Sequence, residues 1–227
     1  MKDLLILGID TSGKTASAAL SEDDFIIGQN TVFTNLTHSQ IILPLCKKLL
    51  EDCGKNFSDI GKIAVSAGPG SYTGLRIGVA GTKAMAFALG IECCGISTLE
   101  GLAYNLLGFD GIICPVMKAR LDLVYNGLFK CENGRISRIS DDRIISRSDL
   151  NSELCGMGKK VIVNGDAAKD FCKEYGYDTA PPLLLNQLAG SLCIASLEKE
   201  SVSPELLETS YLQPVKAEKD LQAKLRG

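Results

Sequence analysis

The order of predicted secondary-structure elements constrains the fold of this chain most strongly, because hydrophobic periodicity gives one order twice. In the first half, three strands precede a helix, a strand and a second helix, at residues 4–8, 15–20, 25–33, 38–53, 62–67 and 73–89. In the second half, three strands are predicted at residues 111–117, 121–130 and 135–145, the last interrupted by turn residues Asp141 and Asp142. A helix from residue 148, a strand at 160–163 and a helix at 167–175 then complete the same order. Two βββαβα units in one chain indicate an internal duplication.

Duplicated βββαβα units are the pattern of the α/β architecture shared by actin-like ATPases, sugar kinases and Hsp70 proteins. We expect two subdomains, residues 1–103 with the N-terminal helices and residues 104–227 with a terminal helix, joined near residues 98–110. A further helix is predicted over 186–200, and the charged residues 216–227 are expected to form a solvated terminal helix or tail. In this superfamily nucleotide normally lies in the cleft between the halves, but a resemblance of fold supplies no activity by itself.

The composition excludes several classes of function. The chain has 227 residues, a net charge of -3 and a pI near 5.3. It is not expected to bind nucleic-acid phosphates by itself, because such binding requires clustered Lys and Arg. Its nine cysteines are scattered through apolar stretches, which indicates reduced thiols and a cytoplasmic protein. The single histidine, His38, cannot form a His-rich site, so we expect no metal and no cofactor of its own. The apolar run at residues 4–9 is too short to span a membrane.

Residues 8–15, GIDTSGKT, match the phosphate-binding pattern G-x-x-x-x-G-K-[ST], which requires a helix directly after it. Residues 16–20 leave room for little more than one helical turn before a turn at 21–24, so we expect a strand hairpin instead. Asp10 then either points into the cleft between the halves or stabilises the turn. The candidate nucleotide- or anion-binding residues are Asp10, Thr11, Ser12, Lys14, Gly68, Gly70 and Ser71.

The segment 68–81, GPGSYTGLRIGVAG, is the strongest candidate for the functional centre. A sharp turn ends the preceding strand, and Ser71 or Thr73 can cap the helix that follows. This helix start either faces an anion or is simply a well-formed connection.

Three glycines recur along one side of this helix, Gly74, Gly78 and Gly81, and each costs about 1 kcal/mol relative to alanine. We expect the close approach of a partner's backbone to offset this cost. The helix over 38–53 has apolar residues around more of its circumference than one sheet-facing stripe requires, which also favours a partner. In the alternative, both helices are sandwiched between their own sheet and the C-terminal helix. His38 is expected to be a polar residue of the first turn, because no catalytic triad spacing accompanies it.

Three motifs together resemble the bacterial TsaB family: IDTS at 9–12, THS at 37–39 followed by Leu43 and Pro44, and GPGSYTGLRIG at 68–78. This family belongs to the machinery that synthesises threonylcarbamoyladenosine in tRNA. The motifs lie in the first half of the chain, and the second half is similar only in its pattern.

The resemblance implies a non-catalytic member of the actin-like superfamily that activates a catalytic paralogue, TsaD, and works with a small ATPase, TsaE. The paralogue transfers threonylcarbamoyl to the adenosine next to the anticodon in tRNAs that read codons beginning with A, so tRNA is expected to be reached through the complex. ATP or ADP and a metal are expected in that complex. The paralogue binds metal through two histidines on a helix, and this chain has one histidine in total.

In the family, the two N-terminal helices pair with the paralogue and can also pair with themselves in a homodimer. The expected interface residues here are His38, Ile41, Leu45, Leu49, Thr73, Gly74, Arg76, Ile77, Gly78, Ala80 and Gly81.

A nucleotide-hydrolysing enzyme that uses Asp10, Lys14 and residues 68–71 around the cleft is the alternative function. A peptidase is not expected, because no metal or nucleophile set supports one. The sequence is compatible with nucleotide in the cleft or at the interface, and with a free homodimer or monomer.

Overall fold

The computed structural model describes residues 4–33 and 36–212. The first sheet contains β1 (Leu5–Asp10), β2 (Thr15–Glu22), β3 (Phe25–Phe33), β4 (Lys62–Gly68) and β5 (Glu92–Ser97). Its strand order is β3-β2-β1-β4-β5. The strands β1, β2 and β3 are antiparallel neighbours, whereas β4 and β5 run parallel to β1.

The first sheet is buried on both faces, because its central strands carry apolar side chains on both. In β1, Leu7 and Ile9 face one core and Ile6 faces another, as the alternation of side chains along a strand requires. Two helices, α1 (His38–Asp52) and α2 (Tyr72–Leu89), cover the first of these faces. Both predicted N-terminal helices therefore lie side by side on one face of the sheet.

Local sequence sets the ends of these helices. A capping box is present at α1, where the backbone N–H of Thr37 donates to Oε1 of Gln40 at 3.2 Å. Ser71 caps α2, and its Oγ accepts a hydrogen bond from the backbone N–H of Gly74 at 3.2 Å. At the other end, Gly90 stops α2 in the left-handed conformation with a φ of 66°.

A short helix, α3 (Thr98–Tyr104), connects the two halves of the chain. Leu99 and Leu102 pack into the core of the second half, while Tyr104 packs against the first sheet. Every residue of α3 is buried, and Leu99, Leu102 and Ala103 follow the helical spacing of a side that faces the core of the second half.

The second half repeats the arrangement around its own core. Its elements are β6 (Gly111–Lys118), β7 (Leu123–Asn126), β8 (Phe129–Glu132), β9 (Arg135–Arg138), β10 (Arg143–Ser146), α4 (Arg147–Gly156), β11 (Val161–Asn164), α5 (Ala168–Tyr175) and β12 (Asp178–Thr179). The strand order is β10-β7-β6-β11-β12, and the hairpin of β8 and β9 also pairs with β6. Leu150 of α4 and Phe171 of α5 are fully buried in this core.

After β12 the chain returns to the first half. The helix α6 (Ala189–Ala195) packs on the second face of the first sheet through Leu192 and Cys193. The second face of the first sheet is therefore covered by residues that follow the second half in the chain.

Residues 200–212, named here the C-terminal strap, follow α6 along the first sheet. Val202 exchanges two backbone hydrogen bonds with Cys93 of β5, at 2.8 and 3.0 Å. The N–H of Ser210 then donates to the carbonyl oxygen of Ala67 at 2.7 Å. The strap thus runs from the edge of β5 to the end of β4, next to the start of α2.

The predicted duplicated α/β architecture is confirmed, while several predicted elements differ from those observed. The strand β5 and the helix α3 have no counterpart in the predicted order, and the predicted strand 121–130 covers β7 and the start of β8. The predicted interruption of 135–145 is confirmed, because β9 and β10 lie on either side of Asp141 and Asp142. The helix predicted over 186–200 is limited to Ala189–Ala195, followed by a 3-10 turn. The predicted division after residue 103 falls in the last turn of α3. The predicted tail at 216–227 lies outside the described residues.

None of the helices within residues 4–33 and 36–212 combines the length and apolar character that crossing a membrane requires.

Candidate functional site

The outer side of α1 and α2 carries small and apolar side chains. On α2, Thr73, Ala80, Ala84 and Phe87 are exposed, and Phe87 is 73% exposed. They follow one another at spacings of seven, four and three residues, which places them on one side of the helix. With half-buried neighbours on both helices they form what we name the α1–α2 surface: Ile41, Leu45, Thr73, Ile77, Ala80, Gly81, Ala84 and Phe87.

Three predicted interface residues lie inside the chain instead of on this surface. Leu49 is 3% exposed and belongs to the core beneath α1. Gly74 and Gly78 are buried against Thr11, whose carbonyl and hydroxyl oxygens occupy the space that side chains at these glycines would need. The expected approach of a partner's backbone is therefore wrong for these two glycines, because a turn of the same chain is the close neighbour. Gly81 does have open space where a side chain would lie.

His38 does not point away from the chain. Its side chain is half-buried, and its Nε2 lies 3.1 Å from the carbonyl oxygen of Thr15, as in a hydrogen bond that the ring donates. The residue thus joins the start of α1 to the start of β2. This is the role of a polar residue in the first turn of a helix.

Arg76 is exposed and is held by two aromatic side chains. Its Nε donates to the hydroxyl of Tyr211 in the C-terminal strap at 3.2 Å, and its guanidinium carbon lies 4.1 Å from the centre of the Tyr72 ring. The hydrogen bond to Tyr211 raises the pKa of Arg76, so the guanidinium is charged at every physiological pH.

Asp10 ends β1 and is 2% exposed. Its Oδ1 accepts hydrogen bonds from the N–H of Ser12 at 2.9 Å and from the Ser12 hydroxyl at 2.7 Å. Burial raises the pKa of Asp10, and the hydrogen bonds from Ser12 oppose that shift. The side chain therefore stabilises the turn after β1, one of the two roles that the sequence leaves open.

The predicted phosphate-binding turns are closed by contacts within the chain. The N–H of Ser71 donates to the carbonyl oxygen of Ser12 at 2.7 Å, and Gly70 is packed directly against Ser12. Because β2 begins at Thr15, no helix follows Lys14, and the phosphate-loop geometry is absent. Lys14 itself is exposed. The amides of Ser12 and Ser71 that would face a phosphate are therefore already engaged.

Gln187 lies between the two halves at the ends of their first strands. It is 4% exposed, and its side-chain amide packs against Gly13 of the first half. Its Nε2 also lies 3.8 Å from the sulfur of Met117 in the second half. The backbone carbonyl oxygen of Gln187 lies 3.5 Å from the hydroxyl of Thr15. This side chain therefore occupies the place where the two halves meet beside the turn after β1.

Sequence reasoning missed several residues of these sites. Ala84 and Phe87 follow from the helical spacing that starts at Thr73, so the signal for them is present in the sequence. Tyr211 and Gln187 are distant in sequence from the groups they contact, so no local pattern could place them there.

Among residues 4–33 and 36–212, no three His, Cys, Asp or Glu side chains lie together as a metal-binding group.

Comparison with known proteins places the chain in a family. Residues 32–178 match the family model described as "TsaD: tRNA N6-adenosine threonylcarbamoyltransferase". The chain is 40% identical over 222 residues to the Bacillus subtilis (strain 168) "tRNA threonylcarbamoyladenosine biosynthesis protein TsaB", covering 95% of this chain and 96% of that protein. It is 27% identical over 229 residues to the Escherichia coli (strain K12) protein of the same name, covering 96% of this chain and 99% of that one.

A solved structure agrees with the architecture. A Pseudomonas aeruginosa protein, described as uncharacterized with similarity to the peptidase YeaZ, superimposes with a TM-score of 0.79 at 24% identity, covering 94% of this chain and 100% of that one. That likeness shows the fold, and the sequence identity of 40% along nearly the whole chain shows the family. The chain belongs to the TsaB family of tRNA threonylcarbamoyladenosine biosynthesis proteins.

Proposed function

We propose that this chain is a non-catalytic partner of a TsaD-type transferase and docks on it through the α1–α2 surface. In this proposal, the transferase forms threonylcarbamoyladenosine next to the anticodon of tRNAs that read codons beginning with A. The tRNA, a TsaE-type ATPase, ATP or ADP and a metal all belong to the cytoplasmic complex and not to this chain alone. In the absence of the transferase, the same surface pairs two copies of the chain.

The exposed stripe of α2 carries this proposal. Ala80, Ala84 and Phe87 leave an apolar helix side in solvent, although α2 already buries its opposite side in the core. Small side chains allow another helix to approach closely, and a large exposed aromatic side chain is a typical anchor of an interface. The engaged amides of Ser12 and Ser71 give the alternative, a nucleotide-hydrolysing cleft, no comparable support.

Reconstitution with purified components tests the proposal. A TsaD-type transferase, TsaE, tRNA and threonylcarbamoyl-adenylate are mixed with the chain, and the modified nucleoside is measured by mass spectrometry. We expect Ala84→Arg to abolish co-elution with the transferase and to reduce product to the amount formed without the chain. Ser152→Arg, at an exposed position of α4 in the other half, is the matched control and should behave as wild type. Equal product with and without the chain would contradict the proposal.

A further inference from the structure

We propose that the groove between α2 and the C-terminal strap binds a carboxylate side chain of the transferase partner, through the guanidinium of Arg76. This inference rests on the proposed function and specifies the chemistry of one contact in it. The groove has a volume of about 460 Å³ and lies between α2 and strap residues 207–209. Ala80 lines the groove and belongs to the α1–α2 surface, so the two are continuous.

The floor of the groove is apolar. Val79 and Leu207, which are 6% and 3% exposed, contribute to the core below it, and Ala80 forms its outer side. A partner that covers this groove would exclude water from the salt bridge, which strengthens it relative to one on an open surface. A partner side chain in this groove would therefore gain both apolar contact and charge pairing.

Arg76 is already ordered for this contact. The Tyr72 ring supports one face of its guanidinium, and the Tyr211 hydroxyl accepts from Nε. The two rings also pack on each other, with centroids 5.1 Å apart and planes tilted by 37°. Because these contacts fix the side chain before binding, little of its conformational entropy is lost when a partner arrives.

The two terminal nitrogens of Arg76, Nη1 and Nη2, make no hydrogen bond or ion pair with the residues that the structure describes. The parallel N–H groups of a guanidinium match the two oxygens of a carboxylate. With Nε engaged, the outer edge of the fork is the part that faces solvent. Arg76 can therefore bind one carboxylate through two parallel hydrogen bonds, donated by Nη1 and Nη2.

Arg76 shares the groove with other charged residues. Lys83 lines it, and its Nζ donates to the backbone carbonyl oxygens of Glu205 and Leu207, at 3.2 and 3.0 Å, while making no ion pair with a described carboxylate. Glu208 is the one acidic residue of the lining. Glu205 lies beside the lining, and backbone hydrogen bonding together with the charge of Lys83 lowers its pKa, so Lys83 is already balanced by a nearby carboxylate. The preference for an anion therefore comes from Arg76, whose terminal nitrogens have no partner among the described residues.

A protein carboxylate fits this groove better than a tRNA phosphate. Binding of nucleic acid through its backbone needs an extended set of cations, whereas this groove offers two, on a chain whose net charge is -3. Arginine and tyrosine on an apolar floor are instead typical of the central contacts in protein interfaces. A contact with tRNA is therefore an outcome that the experiment must be able to detect.

Titration calorimetry with the purified transferase, at low and moderate salt, tests the inference. We expect Arg76→Met, which keeps the apolar stem on Tyr72, to weaken binding about 10-fold or more and to flatten its salt dependence. Arg76→Lys keeps the charge but loses the planar fork, so it should also weaken binding. Tyr211→Phe removes the hydroxyl that holds Nε and should weaken binding by a smaller factor. Lys169→Met, at an exposed position of α5, removes a cation elsewhere and should change nothing.

The outcomes separate this inference from the proposed function. If Ala84→Arg abolishes binding while Arg76→Met binds like wild type, the surface is correct and the carboxylate contact is wrong. If wild type does not bind the transferase, the proposed function fails first. If Arg76→Met retains its affinity for the transferase and loses affinity for tRNA, the ligand is phosphate and the inference is overturned. Thermal unfolding of each variant identifies losses that come from misfolding, and Tyr211→Phe, which preserves the ring packing, then provides the deciding measurement.

Discussion

The hydroxyl of Thr11 donates a buried hydrogen bond to the carbonyl oxygen of Gly74 at 2.7 Å. This hydrogen bond holds the turn after β1 against the first turn of α2. It explains two of the three glycines of α2, because Gly74 and Gly78 leave no room for a side chain beside Thr11. Their role is to join the two elements inside the chain.

Gly74→Ala should destabilise the chain by about 3 kcal/mol, because its methyl group would meet the Thr11 backbone and not a flexible side chain. Gly81→Ala is the matched control. A methyl group there meets no atom within 4 Å, and alanine favours the helix, so it should stabilise the chain by about 0.5–1 kcal/mol. Urea unfolding of both variants measures the difference, and equal effects would show that the Thr11 contact is not the reason for Gly74.

Arg138 of β9 joins the two halves through a partly buried pair of carboxylates. It lies 2.5 Å from Asp142 and 3.3 Å from Glu100 of α3, whose side chains are 17% and 12% exposed. Each carboxylate also has another partner, Lys199 for Glu100 and the Ser97 hydroxyl for Asp142. Arg138→Met should therefore cost about 1–2 kcal/mol of unfolding free energy, because both carboxylates lose a charged partner but keep the other one. Lys130→Met removes the partner of Glu132, which is 63% exposed, and should cost less than about 1 kcal/mol. Similar losses in chemical denaturation would exclude a special role for Arg138.

The architecture could be predicted because it depends on repeated local patterns: alternating strands, a capping box before α1 and a glycine turn before α2. The contents of the sites could not, because they depend on contacts that are distant in sequence. The glycines of α2 show the difference. Their spacing reveals that something approaches the helix, but only the structure shows that Thr11 does so at Gly74 and Gly78.

The helix α3 and residue Leu49 show a second limit. Periodicity is read over windows of roughly 11–18 residues, and α3 has only 7, so the helical spacing of Leu99, Leu102 and Ala103 does not stand out. On α1, Leu49 continues an apolar pattern that also includes half-buried Leu45, and the pattern does not say where the core ends. From sequence alone, an apolar residue at the border of a helix's buried side can therefore be wrongly assigned to a partner interface when it belongs to the core.

The isolated chain should not hydrolyse ATP. The amides of Ser12 and Ser71 are engaged by Asp10 and Ser12, and Gln187 occupies the junction of the two halves. A phosphate-release assay on the purified chain, with Asp10→Ala beside it, checks this expectation. Turnover by wild type that disappears in Asp10→Ala would instead identify the cleft as an active site and refute a purely non-catalytic role.

The unfolding free energy should depend on pH through the titration of Asp10. Burial raises the pKa of Asp10 in the folded state above the ordinary value of 3.8. At a pH between 3.8 and the folded-state pKa, the folded state therefore holds a proton that the unfolded state has largely lost. The stability that this group contributes is therefore complete below the ordinary value and is lost as pH rises through the folded-state pKa. Asp10→Asn is neutral at every pH, and its oxygen can still accept the two hydrogen bonds from Ser12.

The variant Asp10→Asn should thus match wild type in stability near pH 4 and exceed it at neutral pH. Urea unfolding of both proteins across this range measures the difference in unfolding free energy at each pH. A difference that stays constant would mean that Asp10 titrates alike in the folded and unfolded chain. A difference of the opposite sign would mean that Ser12 stabilises the charged carboxylate by more than burial penalises it, in which case Asp10 would be ionised in the turn and available to attract a cation.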